Sequence, residues 1–357
     1  MRPEIQALRA IAVLLVVIYH FWPAWMPGGY AGVDVFFVIS GFLITRHLVT
    51  EAGRRGKIAL VSFWARRARR LLPASLLIIA ISAIGTALWV PRTLWDQFSK
   101  EMAASAFYVV NWQLARDSVD YLGAENDASP VQHYWSLSVE EQFYLLWPAV
   151  LIIVLRKRLS HARMALVAGA AALVDAGVRA ALWPVVGTRL YTLPMTWADA
   201  LFIGGAIAAV MRGRRWLALP PSRLNRPVGV AAAGGFAILV AACFVPDLKT
   251  APWLYIAGLP VLALAAGSII VASLVLDPVR RVLSWRPVVW VGDLSYSIYL
   301  WNFALFVVVE RHLGSSTTEL LIGRPISMAL TLVAAAASYY LVERPSGRLA
   351  RRLRWLR

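Results

Sequence analysis

In the run LRAIAVLLVVIYH, residues 8–20, an arginine and a histidine stand eleven positions apart in otherwise apolar sequence. On a helix that spacing is close to three turns, so Arg9 and His20 share one face, separated by ~16 Å along the axis. A permanent cation suits an anionic ligand, and an imidazole titrating near neutrality suits proton transfer. A histidine satisfied by a neighbouring helix is the plain alternative. The next apolar run, GGYAGVDVFFVISGFLIT (28–45), adds Asp34. It is expected at a depth similar to His20, where a carboxylate could fix the tautomer of the imidazole. In HYWSLSVEEQFYLLWP (133–148), Ser136, Glu140 and Tyr144 fall at i, i+4 and i+8. That makes a polar stripe on an apolar helix, suited to lining a hydrogen-bonding cavity. FWARRARRLLP (63–73) carries Arg66, Arg67, Arg69 and Arg70 just ahead of a further apolar run. Guanidinium forks grip phosphate oxygens in pairs, so a phosphate-bearing ligand and anionic lipid headgroups both fit. DLSYSIYLWN (293–302) brings Ser295, Tyr296, Tyr299 and Asn302 into one apolar stretch, either as cavity lining or as interhelical hydrogen bonds.

The elements that must hold these groups are membrane spans. The 357 residues are 60% hydrophobic and 15% charged, with a mean hydropathy of +0.64, far from the composition of soluble domains. Apolar segments long enough to cross ~30 Å of hydrocarbon lie near 6–22, 31–49, 72–91, 136–155, 164–183, 193–211, 228–246, 253–276, 287–310 and 324–343. The expected fold is an all-α polytopic membrane protein of about ten transmembrane helices. It forms one domain over 1–345, followed by a basic tail at 346–357. The stretch 102–112 could form an additional re-entrant or interfacial helix; as an eleventh span it would put the basic loops downstream outside, so it is not taken as one. The first apolar run lacks a small-residue cleavage pattern and is expected to be retained. A single cysteine, Cys243, excludes an internal disulfide and a cysteine-based metal cluster. No metal site is expected.

The net charge of +17 would suggest nucleic acid in a soluble protein, but its distribution follows the bilayer. With the N-terminus inside, the inward segments hold 28 of the 36 lysines and arginines. Positive-inside then puts both termini in the cytoplasm and requires an even number of spans. Charges within spans form the shortlist for function. Among them Asp175 and Arg179 have the i, i+4 spacing of a self-neutralising pair, while Asp293 and Glu343 lie near inner ends where snorkelling is cheap.

Taken together, these motifs resemble the acyltransferase-three family of bacterial membrane proteins, and the likeness runs nearly end to end. Arg9 and His20 match its Arg-x10-His, GVDVFFVISGFLIT its second-span signature, and RRARRLLP its Arg-x-x-Arg motif at Arg67 and Arg70. HYWSLSVEEQFY matches the central motif with His133, Trp135, Ser136, Glu140 and Tyr144. ADALFIGGAIA, with Asp199 and Gly204, and VERP, with Glu343 and Pro345, match later signatures. Asn302 stands where many relatives have histidine. The chain ends soon after the tenth span, so a stand-alone form without a fused esterase-like domain is expected.

The resemblance implies an enzyme of the bacterial cytoplasmic membrane that moves a short acyl group, such as acetyl, from cytoplasmic acyl-coenzyme A to a hydroxyl of a surface polysaccharide or lipid-linked glycan. No permanently bound cofactor is expected. Arg67, Arg70 and Arg9 would hold the donor phosphates, and His20 would act as general base oriented by Asp34 or Glu140. Ser136, Tyr144, His133, Trp135, Asp199, Ser295, Tyr299 and Asn302 would line the substrate cavity. No Ser-His-Asp elbow is evident, which favours direct transfer. A secreted natural product as acceptor, or a glycolipid transporter without catalysis, are the competing readings.

Overall fold

A computed structural model describes residues 2–117, 127–157, 160–212, 221–246, 250–313 and 319–347, with side chains throughout except at 221–224, 309–313 and 319–320. The basic tail from residue 348 onward and the segment 118–126 lie outside the described residues. The described chain is helical: α1 (Pro3–Phe21), α2 (Gly32–Arg55), α3 (Leu60–Trp89), α4 (Trp95–Ala106), α5 (Val110–Arg116), α6 (Tyr134–Arg156), α7 (His161–Val186), α8 (Ala198–Arg212), α9 (Pro221–Cys243), α10 (Leu259–Val275), α11 (Asp277–Leu283), α12 (Arg286–Leu313) and α13 (Arg324–Ser338). Turns of π-helix adjoin α10 at Leu254–Gly258 and flank α13 at Glu319–Gly323 and Tyr339–Glu343.

Among the described residues, nine helical stretches are long and apolar enough to cross a membrane. They coincide with nine of the ten spans predicted from sequence. The tenth, 193–211, is shorter than predicted. Leu193 is extended ahead of Pro194, and α8 begins only at Ala198 and runs for 15 residues, because the residue before a proline is pushed out of the helical region. At 1.5 Å per residue such a helix covers ~22 Å. The 102–112 stretch is not one helix: it breaks between α4 and α5 at Phe107 and Tyr108.

The surface pattern inverts that of a soluble protein. Leu146 on α6, Leu173 on α7 and Leu341 beyond α13 are 65%, 77% and 75% exposed, while Asp34, Arg179 and Asp199 are at most 1% exposed. Apolar side chains turned outward and charges turned inward are what hydrocarbon solvent selects. The chain is an all-α polytopic membrane protein.

Two compact units can be distinguished: one formed by Met1–Ile58 and Gln142–Asp293, the other by Ala59–Glu141 and Leu294–Arg357. In the first, α2 and α8 pack most intimately. A Cβ on Gly41 would stand 1.9 Å from the Leu201 carbonyl oxygen, and one on Gly204 would stand 2.1 Å from that of Val38. Glycine at both positions lets the two backbones meet. α1 packs beside α2, with Gly29 against Leu15 and Gly32 against Ala12 and Val16. In the second unit, hydroxyls tie neighbouring helices to α3. Tyr134 Oη donates to the Ser75 carbonyl at 2.9 Å and Tyr296 Oη to the Leu71 carbonyl at 3.1 Å.

Candidate functional site

The first unit holds the α1 stripe. His20 lies in the last turn of the helix and is 7% exposed; its ring is tilted against that of Tyr19, which meets Tyr30 edge-on. Arg9, half-buried near the other end, donates from Nη1 to Gln6 Oε1 at 3.0 Å, and Gln6 Nε2 donates in turn to Asp293 Oδ1. Asp293 thus anchors the Arg9 end of the stripe, a contact that the sequence reading, which treated Asp293 as a snorkelling residue, did not contain.

The structure corrects the expected pairing of Asp34 with His20. Because Gly29 opposes Leu15 and Tyr19 while Gly32 opposes Ala12 and Val16, the two helices run antiparallel, and Asp34 comes level with Ala12. His20 is eight residues further on, ~12 Å along the axis. Asp34 is buried without a hydrogen-bond partner among the described residues, and the charges that act on it are Asp199 and Arg179. It belongs to a different cluster.

That cluster centres on Arg179 of α7. Its Nε donates to the Tyr255 carbonyl at 2.6 Å, Nη1 to the Thr196 carbonyl at 2.9 Å and Nη2 to Asp199 Oδ2 at 2.9 Å. Asp175 lies 3.8 Å from Nη1 and accepts the Asp199 backbone N–H at 2.9 Å. The i, i+4 pair read from sequence is present, yet the tighter partner is Asp199, which meets the buried arginine from the start of α8. Tyr144, also in this unit, is buried beside Phe143.

The second unit gathers the remaining predicted residues. Arg67, on the first turns of α3, donates from Nε to both oxygens of Glu141 at 2.9 and 3.1 Å, and its Nη2 lies 3.4 Å from Glu140 Oε1. The four arginines are part of α3, which starts at Leu60, twelve residues before the predicted span. Arg70 is exposed one turn further along. The α6 stripe is real at Ser136, whose Oγ shares a 2.5 Å hydrogen bond with Tyr299 Oη, while Tyr299 also donates to the His133 carbonyl at 2.9 Å. The His133 ring is enclosed by Tyr134, Tyr299 and Phe303. Trp135 and Ser295 are buried. Asn302 Nδ2 donates back to the Ile298 and Tyr299 carbonyls of its own helix at 3.0 and 2.6 Å. Glu343, expected to snorkel, is instead buried and accepts from Ser297.

Two residues were not anticipated. Glu101 on α4 is buried with Gln97 Nε2 at 2.9 Å and the Ser129 hydroxyl as donors, and burial pushes its carboxyl above the usual carboxylate range. Tyr108 adopts φ 54° at the α4–α5 break, a left-handed conformation that costs a residue with a Cβ ~1–2 kcal/mol. Its hydroxyl is buried and faces Ser75 and Tyr296, within electrostatic reach of Glu141 and Arg67, and burial pushes the phenol up. The sequence offered no glycine or asparagine to mark this turn.

The chain is thus a polytopic helical protein with charged and hydroxyl side chains buried along its spans. The sequence profile described as "Acyltransferase domain" matches residues 2–342, and the chain belongs to that family. It is similar to the peptidoglycan O-acetyltransferase OatA of Listeria monocytogenes (34% identical over 96% of this chain and 55% of the relative). It is also similar to the O-acetyltransferase OatA of Staphylococcus aureus (31% identical over 96% of this chain and 57% of the relative). The chain spans about half the length of these relatives. No solved structure matches it.

Proposed function

We propose that the chain transfers an acyl group, in the first instance acetyl, from acyl-coenzyme A to a hydroxyl of a cell-wall glycan at the bacterial cytoplasmic membrane. The observation that carries this reading is a buried imidazole, His20, at the end of an intramembrane helix in a chain of the acyltransferase family. The names of the Listeria and Staphylococcus relatives support acetyl as the group, and that of the Listeria relative a peptidoglycan-type sugar as the acceptor.

In the proposed reaction, His20 takes the proton of the acceptor hydroxyl as its oxygen attacks the thioester carbon. The carbon–sulfur bond then breaks and the coenzyme thiolate takes the proton back from the imidazolium. The carbonyls in the last turn of α1 favour the positive charge that His20 carries between these steps. Orientation of the imidazole by Asp34 is not part of the proposal, because the surroundings of Asp34 do not support it. Arg67 and the exposed Arg70 suit the anionic phosphates of the donor, with Glu140 and Glu141 holding Arg67 in place until the donor arrives. Arg9, positioned by Gln6 and Asp293, supplies a cation on the His20 stripe. Ser136, Tyr299 and His133 form a hydrogen-bonded wall suited to a polar substrate.

The test is transfer of labelled acetyl from acetyl-coenzyme A to cell-wall glycan fragments by the purified chain in lipid nanodiscs. The wild type transfers label, and His20→Ala loses ~10²–10⁴-fold in rate with an unchanged unfolding temperature. A thioester left intact by the wild type overturns the reading in favour of transport. Near wild-type transfer by His20→Ala removes the base assignment alone.

A further inference from the structure

Tyr108 is the one non-glycine residue at positive φ among the described residues, and the strain is directed inward. The chain leaves α4 at Ala106 and re-enters helix at Val110. Tyr108 N–H donates to the Ser105 carbonyl at 3.1 Å and Val109 N–H to the Ala104 carbonyl at 2.9 Å, so the break is a closed turn rather than a loose end. Phe107 and Val109 on either side are exposed, 80% and 44%, yet the Tyr108 hydroxyl is buried. A bulky residue persists in a sparsely populated conformation when its side chain is held, and such outliers gather at functional sites.

What the hydroxyl meets is specific. Ser75 and Tyr296 are beside it, and the charges it feels are Glu141 and Arg67. Tyr296 already donates to the Leu71 carbonyl, and Arg67 is gripped by both oxygens of Glu141 and approached by Glu140. Two carboxylates on one guanidinium leave it with no surplus charge for an anion. A phosphate engages Arg67 with its full charge once Glu141 loosens its hold, and a part-buried carboxylate that loses its donor is costly unless another donor replaces it.

We propose that Tyr108 is a positioning residue that takes over Glu141 when Arg67 turns to the phosphate of an acyl-coenzyme A donor. The strained turn keeps the phenol in place for this exchange, beside Ser75 and Tyr296. The inference rests on the reading of Arg67 as a donor-phosphate ligand. It adds a residue outside every motif that reading uses. No bond to carbon is made or broken by Tyr108; it exchanges hydrogen bonds only.

The experiment uses the full chain in nanodiscs, with acetyl transfer followed against acetyl-coenzyme A concentration for the wild type, Tyr108→Phe and Tyr108→Gly, and with unfolding temperature measured for each. Tyr108→Phe keeps the strain and the ring but loses the hydroxyl. Its KM for acetyl-coenzyme A is expected to rise about tenfold, the loss of one hydrogen bond to a charged group, with kcat and unfolding temperature held. Tyr108→Gly relieves the strain but also removes the ring; it is expected to show at least the same rise in KM. A Tyr108→Phe KM within twofold of wild type overturns the proposal. So does a KM change that appears only together with a lower unfolding temperature, which would make the phenol a packing residue. A wild type that transfers nothing fails the functional reading instead.

Discussion

The Arg179 guanidinium is divided among the Tyr255 and Thr196 carbonyls and the Asp199 carboxylate, with no exposed surface. Removing one partner of such a pair leaves an uncompensated buried charge. Arg179→Leu is therefore expected to lower stability by about 3–5 kcal/mol, read as unfolding in detergent, and Arg179→Leu with Asp199→Asn should lose less than Arg179→Leu alone. A lysine is no substitute, because three separated acceptors need the planar fork. Glu101 gives the opposite case. Its carboxyl is raised by burial, so the folded chain holds that proton more tightly than the unfolded one, and its contribution is greatest below the unfolded carboxylate pKa and falls as pH rises above it. Glu101→Gln should therefore be more stable than wild type at neutral pH, with the difference vanishing toward pH ~4; a difference that stays constant with pH would contradict this. At this scale the sequence named the ionisable residues well and their partners poorly. Asp34 was visible as a costly charge, but that it belongs with Asp199 rather than His20 depends on the register of two helices, which no spacing along one helix contains. Tyr108 was invisible because its conformation contradicts its residue type.

Helices were the most legible level, since an apolar run of span length has few other fates in a chain this hydrophobic. The departures have local causes: Pro194 delays α8, and the arginine-rich stretch 63–70 continues the helix of α3, because nothing in it breaks a helix. The π turns at 254–258, 319–323 and 339–343 leave no mark in a hydropathy profile. Close approach between helices is legible in principle from small residues, and Gly41 and Gly204 confirm it. Alanine at either position puts a methyl into a backbone carbonyl. Each substitution is expected to cost at least the ~1–3 kcal/mol of an overpacked core and to act less than additively when combined, since both open the same α2–α8 seam. Full additivity measured by unfolding in detergent would mean that the two glycines relieve separate contacts.

For the molecule as a whole, the charge distribution predicts an orientation that can be read directly. Cysteine placed at Arg92 should react with a membrane-impermeant maleimide on intact cells, and cysteine at Lys57 only after permeabilisation; the reverse pattern would invert the topology. Cys243, the single native cysteine, is buried and adds little background. The bridge from Arg179 on α7 to Asp199 on α8 bears on how such a chain is made. An arginine at the centre of a helix costs ~2.5–3.5 kcal/mol on insertion into a bilayer, and α8 by itself is too short to cross one. α7 is nonetheless long and apolar enough to cross, so the helix that needs help is α8. It is expected to settle against α7, its carboxylate arriving where the cation is already in place.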